Sequence, residues 1–503
     1  MTAGRIAAAL LLWVGTAQAQ TVTVTDASTG APVPGAFVEW ENGGSSVGGF
    51  AVTDGEGVFE SLGDEAPGTV YRVRALGYRE ISVAWSHIAE SGNRIVLQPT
   101  AIQVDELVVT ATGRPVRRSE VAVPIETMGE VELRAGSAPG VDRLLSSLPS
   151  IQQTGQAPTG TNLMIRGIGG SRVLVLLDGQ PAGGALLENR DVSRMSLAGV
   201  AQVEVVKGPL SSLYGSDALG GVINLVTRRP RDGFQADASV LAGGGGRTEA
   251  HATAEGGGEA FRYRVTGSWR QEDRVPGLVG GSDAFARVWD LRATGRGERA
   301  GWSYRSDASF VRERQRWPVG GGFSGFNDNT GLSGWSQVER SAGSGRFGLR
   351  IFGQSYDHLY RSARGDLPFE SEGDETQTER LVRASASYGV ALGSHALDLG
   401  AEASARRIRS PDKILSDEAS DNQLAVYAQD AWRVGESTTV TGGTRGTFND
   451  RWGSTASPTL GISHALGTSF RIRGSLSRGF RAPSFKELTW NFANLGAGYT
   501  VLG

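Results

Sequence analysis

The sequence predicts a mainly β chain whose largest part is an antiparallel transmembrane β-barrel, and three observations carry that expectation. Glycine makes up 73 of 503 residues and no apolar run is long, which suits many short strands and turns and excludes a membrane protein built of helices. After Arg229 the chain repeats segments of alternating character. In FRYRVTGSWR, Phe261, Tyr263, Val265 and Trp269 share one face while Arg262, Arg264, Thr266, Ser268 and Arg270 share the other, as lipid outside and water inside require. WSYRSDASF, RFGLRIF and FRIRGSLS alternate likewise; in the last, Phe470, Ile472 and Leu476 oppose Arg471, Arg473, Ser475 and Ser477. A soluble sandwich also alternates. Trp269, Trp289, Trp302, Trp317, Trp335, Trp432, Trp452 and Trp490, however, recur near the ends of these segments, where interfacial girdles sit.

Length requires several cores. The near balance of 50 basic and 53 acidic residues supplies no global field for nucleic acid or anionic lipid, so no nucleic-acid role is indicated. Only Lys207, Lys413 and Lys486 are lysines; the arginine excess admits bidentate anion binding, but codon usage is the simpler reading. The absence of cysteine rules out a disulfide framework and thiolate metal sites. Arg5, the apolar run from Ile6 to Val14 and Ala17-Gln18-Ala19 form a signal peptide over residues 1–19, cleaved before Gln20.

Residues 20–99 read as a small sandwich of strands TVTV, AFVEW, GFAVTD, VFESL, YRVRAL and ISVAW, with turns at Thr29-Gly30, Asp54-Gly55 and Asn93. The phrases TGAPVPGAFVEW, AVTDGEGVF and VRALGYREISV resemble the carboxypeptidase-regulatory-like domain, which implies a transthyretin-like β-sandwich. His87 and Glu90 have a spacing used by zinc carboxypeptidases. No third ligand or catalytic carboxylate accompanies them, so a surface pair is the reading and neither a metal nor a catalytic site is expected.

A connector, residues 100–115, holds the β-prone stretch VDELVVTATG, and residues 116–229 read as an α/β domain. There, Pro124 to Met128, LMIRG and RVLVLLDG suit strands, and Asp142 to Leu148 suits a short helix closed by Pro149. VEVVKGPLSSLYGSDALGGVINLVT, from Val203 to Thr227, packs two apolar strands around a Gly-Pro turn, a short polar helix and a Gly-Gly break. GGSR at Gly169 to Arg172 lacks the lysine spacing and following helix of a phosphate cradle.

In this order, these segments resemble TonB-dependent outer-membrane receptors of the siderophore, cobalamin and colicin-receptor type. The resemblance implies that Asp105, Glu106, Leu107, Val108, Val109, Thr110 and Ala111 are a TonB box, which joins the partner's sheet edge as an added strand. The partners implied are TonB with its inner-membrane ExbB/ExbD complex, outer-membrane lipid and a small-molecule ligand. The α/β domain would be the plug. Arg166, Gly167, Asp178, Gly179, Gly208, Tyr214, Gly215, Gly220 and Gly221 would hold it together. Gln152, Gln153, Thr154, Gln156, Thr159, Thr161, Glu188, Asn189 and Arg190 lie in Gly-rich segments that match outward plug loops, where ligand contacts are expected; such loops are also generic connectors.

SRGFRAPSFKEL, Ser477 to Leu488, resembles a barrel motif of the same family. Haem-uptake members carry a histidine beyond it; none lies between Pro483 and Gly503, which disfavours haem. Val319 to Ser336 and Ser362 to Glu379 are candidate extracellular loops. The family implies about 22 strands, whereas residues 230–503 supply about twelve to fourteen spans at ~9 to 11 residues each plus turns. The barrel is therefore expected to be incomplete, the chain a C-terminally truncated fragment, and the fragment alone unable to insert, because open edges in hydrocarbon cost several kcal/mol per unsatisfied group. The function implied is import of a scarce ligand across the outer membrane, a ferric siderophore first, with no resident cofactor and no enzymatic step. Cobalamin or glycan import is the alternative within this architecture, and a passive barrel or adhesin scaffold the alternative outside it.

Overall fold

The computed structural model describes residues 20–41, 49–61, 68–75, 78–99, 107–108, 116–118, 121–135, 140–154, 162–182, 192, 195–273, 284–320, 323–364, 375–467, 470–494 and 499–502. The signal peptide expected over 1–19 lies outside them. The chain divides into two compact units, at Asp105 and Glu106.

The first unit contains β1 (Gln20–Asp26), β2 (Phe37–Glu41), β3 (Gly49–Val52), β4 (Val58–Ser61), β5 (Val70–Arg74), β6 (Ile81–Ala84), helix α1 (Trp85–Glu90) and β7 (Arg94–Leu97). One sheet has the order β4-β1-β7, with β1 and β7 parallel, and the other β3-β2-β5-β6. Period-two alternation turns Val22, Val24, Val38, Trp40, Tyr71 and Val73 inward. All six expected strands form, but α1 and β7 were not anticipated, and Trp85 starts the helix instead of ending a strand. His87 and Glu90 project from α1 with a 3.5 Å contact and side chains 75% and 77% exposed, as a surface pair does.

The second unit begins with β8 (Leu107–Val108) and β9 (Val116–Arg117), which pair antiparallel. Then follow β10 (Ile125–Met128), α2 (Glu130–Ala135), α3 (Val141–Ser146), β11 (Ile151–Thr154), β12 (Asn162–Ile165) and β13 (Ile168–Gly169). The plug continues with β14 (Val173–Leu177), β15 (Gln180–Pro181), β16 (Val200–Lys207), α4 (Ser211–Tyr214) and β17 (Gly221–Thr227). Its main sheet is ordered β10-β16-β17-β14-β15, and β11-β12-β13 form a second. Strand β14 is apolar throughout because both of its faces are covered, while its neighbours β16 and β17 bury one polar residue each, Glu204 and Asn224, among apolar ones. Val173 and Val175 join one core with Leu144, Leu145, Val203, Val205 and Ile223, and Leu174 and Leu176 join another with Val206 and Val222. Gly170 to Arg172 is a 3-10 turn leading into a strand, so no phosphate cradle forms. Gly221 has φ 150°, and a Cβ there would run into the Val206 carbonyl, which explains the Gly-Gly break before β17.

The barrel part is one antiparallel sheet of thirteen strands in sequence order. They are β18 (Gln235–Gly243), β19 (Arg247–Gly257), β20 (Phe261–Glu272), β21 (Phe285–Arg299), β22 (Trp302–Gly320), β23 (Phe323–Ala342) and β24 (Gly345–Arg364). The series ends with β25 (Glu375–Leu392), β26 (His395–Arg409), β27 (Glu418–Val434), β28 (Thr438–Asn449), β29 (Gly453–Leu466) and β30 (Phe470–Ser477). Among the described residues β18 and β30 do not pair, so the barrel is partial and open. Beyond it lie α5 (Phe485–Thr489), opened by a Ser484–Glu487 capping box, and the hairpin of β31 (Asn491–Asn494) with β32 (Tyr499–Leu502).

The faces divide as the alternation predicts. Phe310, Leu332, Ile351, Val382, Leu424 and Leu460 point outward and are exposed, while Arg264, Glu313, Asn329, His358 and Arg445 point inward and are buried. The two ends differ. At one, strands are joined across short turns such as 300–301, 343–344 and 393–394; the other carries the longer connections 273–284, 365–374 and 410–417. Short periplasmic turns and long extracellular loops are the rule for such barrels, so the second is the outer end. Two expectations need correction. Val319 to Ser336 is mostly the extended hairpin of β22 and β23, whose polar residues face the interior or the rim and so imitate a loop in sequence. Of Ser362 to Glu379, only residues 365–374 lie between strands, and these are outside the described residues. Nor do all eight tryptophans form girdles. Trp269 and Trp289 pair on the outer face toward the outer end, and Trp302 and Trp432 lie on that face at the opposite end. Trp317 stacks on Tyr360 inside, Trp335 lies under Arg350, Trp452 packs on Phe480, and Trp490 is buried with Phe485 and Ile414.

Asp26 closes the sandwich electrostatically. Its Oδ1 accepts from the Ser28 hydroxyl and amide, both at 2.6 Å, and from the Thr29 amide at 2.8 Å, and its Oδ2 accepts from the Tyr78 hydroxyl at 2.8 Å. The Ser28 and Tyr78 hydroxyls, then the Thr29 amide, hold the carboxyl well below its usual range. A depressed folded value means stabilisation that is complete above the ordinary carboxylate range and is lost as pH falls through the folded value. Residues 20–99 expressed alone should therefore melt at a temperature that drops below about pH 4, and Asp26→Asn should start lower at pH 7 and flatten that acid limb. A mutant melting curve parallel to wild type from pH 7 to pH 2 would contradict this.

Candidate functional site: the joint between plug and inner wall

Tight turns aim the plug's polar groups. Asp178 (φ 49°) and Gly179 (φ 77°) make the two-residue turn between β14 and β15, and Arg166 (φ 51°) and Gly167 (φ 82°) make the equivalent turn between β12 and β13. Two successive positive φ angles require Gly, Asn or Asp at least once, which is what Asp-Gly and Arg-Gly supply. At the first turn Asp178 Oδ1 accepts the Thr227 amide at 2.8 Å, Oδ2 accepts the Thr227 hydroxyl at 2.8 Å, and the Gly179 amide donates to Asn224 Oδ1 at 3.0 Å. The turn is thereby tied to the neighbouring strand β17.

The same carboxylate leaves the plug. Arg292 of β21 donates through Nη2 to Asp178 Oδ2 at 2.9 Å and through Nε to Asp307 Oδ2 of β22 at 2.7 Å. A second joint forms at α4. Arg445 of β28, with its side chain 2% exposed, donates through Nη1 to the Leu213 carbonyl at 3.1 Å and through Nη2 to Glu402 Oε1 of β26 at 2.9 Å. Arg383 of β25 lies 3.6 Å from the same Glu402 oxygen. Gly215 lies beside this joint, and its φ of 78° is what favours glycine there, since an added Cβ would meet Arg445 only at contact distance. Tyr214 lies near Glu204, Arg350 and Tyr427; burial pushes its phenol up and Glu204 adds to the shift, so it stays protonated. Glu126, by contrast, is held low: burial opposes ionisation, but the Lys207 ammonium and the Ser150 hydroxyl overcome it.

The third joint unites two stretches singled out in the sequence. The Phe480 amide donates to Ser211 Oγ at 3.1 Å and the Ala482 amide to Ser216 Oγ at 3.0 Å, so GFRAP docks on the LSSLYGS segment. Phe485 and Trp490, just downstream, pack on Ile408 and Ala419 of the inner wall. Beside these joints runs a cavity of about 1290 Å³, lined among others by Gly179, Tyr214, Arg350, Arg383, Glu402 and Arg406. Arg350, Arg383, Arg406 and Glu402 bring charge to a lining that is otherwise mixed, an environment that admits a polar or anionic guest.

Of the expected TonB box, Leu107 and Val108 are extended in β8; Asp105, Glu106, Val109, Thr110 and Ala111 lie outside the described residues. Gln152 and Gln153 stand exposed on β11, and Thr154 ends that strand. Gln156, Thr159, Thr161, Glu188, Asn189 and Arg190 lie outside the described residues. Among the described residues no group of three His, Asp, Glu or Cys converges as metal ligands would. Sequence reading missed Arg292, Asp307, Glu402 and Arg445, which in sequence are ordinary inward members of alternating strands.

Asp178→Asn and Arg445→Met should each loosen the plug by about 1–3 kcal/mol, the scale for a buried charge-assisted bond, since in the second Glu402 keeps Arg383 at 3.6 Å. Both are read as a lower urea midpoint for protease cleavage within residues 117–222; an unshifted midpoint in both would remove these joints as what holds the plug.

The family model for the TonB-dependent receptor plug domain matches residues 117–222, and that for the TonB-dependent receptor-like β-barrel matches residues 232–503. The iron-regulated outer membrane virulence protein of Vibrio cholerae is 26% identical over 442 residues, covering 80% of this chain and 64% of that protein. The vitamin B12 transporter BtuB of Photobacterium profundum is 25% identical over 408 residues, 77% of this chain and 64% of that protein. Among solved structures, the siderophore receptor PirA of Pseudomonas aeruginosa aligns with TM-score 0.58 at 21% identity, covering 72% of this chain and 63% of that one. The ferric enterobactin receptor PfeA aligns with TM-score 0.59 at 17% identity, over 71% and 63%. The chain thus spans less than two thirds of the length of these relatives. With both family segments in order, and with the plug seated against the inner wall of the strands that follow it, the chain belongs to the TonB-dependent receptor family.

Proposed function

We propose that this chain serves as an outer-membrane transporter that binds a scarce ligand outside and admits it when TonB, energised through ExbB/ExbD, pulls on the plug. The signal peptide of residues 1–19 exports it, and its place is the outer membrane. The observation that carries the reading is a plug held to the inner wall by a few charged joints and preceded by the extended Leu107–Val108 segment. Strand β8 uses one edge for β9 among the described residues, leaving the other for strand addition by the partner. Asp105 to Ala111 are its binding segment. Gln152, Gln153, Thr154, Gln156, Thr159, Thr161, Glu188, Asn189 and Arg190 contact ligand from the plug loops, and no residue acts as a catalyst. The N-terminal sandwich is a carboxypeptidase-regulatory-like module.

A ferric siderophore is the first choice of ligand, supported by the name of the Vibrio relative, by the siderophore receptors among the similar structures and by the arginine-lined cavity. Cobalamin is the second, supported by the similarity to BtuB. Uptake of radiolabelled ferric siderophores and cobalamin by cells producing the protein, with and without a working TonB, tests both. TonB-independent accumulation of either ligand would reject the transport mechanism, and accumulation of cobalamin alone would reject the ligand. In this assay Val108→Pro should lower energised uptake at least tenfold while leaving surface binding unchanged, because proline removes a backbone donor from the added strand; full uptake by the mutant would reject the box.

A further inference from the structure

In the N-terminal unit β3, β4, β6 and β7 lie at sheet edges, and among the described residues only β3 is unguarded. Charge, proline or a covering segment keeps an edge from pairing with other chains. Strand β4 carries Glu60, and β6 follows Glu80, which pairs with Arg72 and Arg74. Strand β7 starts at Arg94, and just past its end the Gln98 carbonyl already accepts the Arg79 amide. By contrast β3 is Gly49-Phe50-Ala51-Val52, and from Asn42 to Thr53 the chain has no charged residue and no proline. Phe50 and Val52 are 73% and 52% exposed, and Phe50 stacks on Phe37 of β2 with ring centroids 6.0 Å apart.

The backbone of β3 is open in a definite pattern. The Thr53 amide donates to the Ala36 carbonyl at 2.9 Å, on the β2 side. The polar groups of successive strand residues point to alternate sides. Ala51 therefore turns its amide and carbonyl toward β2, while Phe50 and Val52 turn theirs to the free edge. Among the described residues nothing takes these four groups. Asp54, the first carboxylate after β3, is occupied in its own turn, where Oδ1 accepts the Glu56 and Val58 amides, both at 2.9 Å.

We propose that β3 pairs antiparallel with β3 of a second copy of this chain, joining two sandwiches edge to edge. The occupant follows from the register. A two-fold axis through Ala51 sets Ala51 against Ala51 and each Phe50 against the second copy's Val52. The two amides and two carbonyls open in one copy then meet those of the other in two doubly bonded pairs. An aromatic lies beside a β-branched residue on both sides of the axis, and the Phe37–Phe50 stack continues into the second sheet. Asp54 falls opposite residue 48, so no two carboxylates face each other. A foreign strand could use the same backbone groups, but only a second copy necessarily brings an uncharged Phe-Ala-Val pattern in matching register. The edge is short, so pairing is favoured between copies confined together and weak between dilute ones. The proposal concerns the N-terminal unit alone and lies beyond transport, so either reading can fail while the other stands.

The chain has no cysteine, so one introduced thiol reports the contact without background. Across the two-fold axis the Ala51 Cα atoms would stand ~4.5 Å apart, within reach of a disulfide. The test uses the purified full chain in detergent micelles, oxidised mildly with diamide and resolved on non-reducing gels. Ala51→Cys should give at least tenfold more disulfide-linked dimer than Ser82→Cys, which places the thiol on the opposite edge strand β6. Adding Phe50→Lys and Val52→Lys to Ala51→Cys should lower the dimer to the Ser82→Cys level through like-charge repulsion across the axis. Both side chains are exposed, so the melting temperature should stay that of Ala51→Cys. Val52→Lys alone, which keeps the Phe37–Phe50 stack, should lower the dimer at least threefold and decides the matter if the double variant melts early. A monomer in Ala51→Cys assigns the edge to a segment of the same chain or to a different protein, and overturns the proposal. Equal dimer from Ser82→Cys, or dimer undiminished by lysine, overturns it as well.

Discussion

Backbone hydrogen bonding in hydrocarbon is the constraint on which the rest of this structure depends. A strand that crosses lipid has no water to satisfy its amides and carbonyls, so these must be met by neighbouring strands, and the barrel part is accordingly one ladder from β18 to β30, open among the described residues only at its two edge strands. Once the ladder is fixed, the period of two leaves no freedom in the side chains. A residue that faces lipid forces its neighbours to face the interior, and a slip of one position would bury Ile351 and expose Arg350. The inner wall is therefore polar by geometry, before any contact with the plug is considered.

That polarity decides how the plug is held. Its own cores are apolar and closed, with Val175 and Leu176 covered on opposite faces of the sheet, so little apolar surface is left with which to grip the wall. The joints are instead Asp178 with Arg292, Leu213 with Arg445, and Ser211 and Ser216 with the 480–482 backbone. Hydrogen bonds exchange with water at modest net cost, whereas separating a packed apolar interface would expose its whole area at once. A plug attached in this way can be firm at rest and still yield to a pull along its N-terminal strand, because bonds can be replaced by water one joint at a time.

The local elements were legible in the sequence because each rests on short-range rules. FRYRVTGSWR gave its faces through alternation, RVLVLLDG its burial through an unbroken apolar run, and Asp178-Gly179 its turn through the need for positive φ. Reading failed where one pattern has two physical causes. Polar residues on the inner side of a long hairpin look like a loop, which is why Val319 to Ser336 misled. A tryptophan near a strand end is a girdle residue only if it faces outward, and Trp317 and Trp335 face inward. The joints were hidden for a different reason. Arg445 and Leu213 are 232 positions apart, and nothing local distinguishes Arg445 from the other inward arginines.

Arginine reads differently once these contacts are known. In composition, three lysines against a large arginine excess need no explanation beyond codon usage. At the two charged joints, however, one guanidinium serves two acceptors from different elements: Arg292 divides its nitrogens between Asp178 and Asp307, and Arg445 between Leu213 and Glu402. A rigid planar fork holds both acceptors at fixed separation, while an ammonium on a flexible stem would bring charge without fixing their geometry. Lys207 shows where lysine suffices, since it neutralises Glu126 within the plug, where the β10–β16 ladder already sets the spacing. The two charged joints, between elements that no backbone ladder connects, therefore use arginine, and its forked contacts help to give the plug one defined seat on a wall that offers many polar groups.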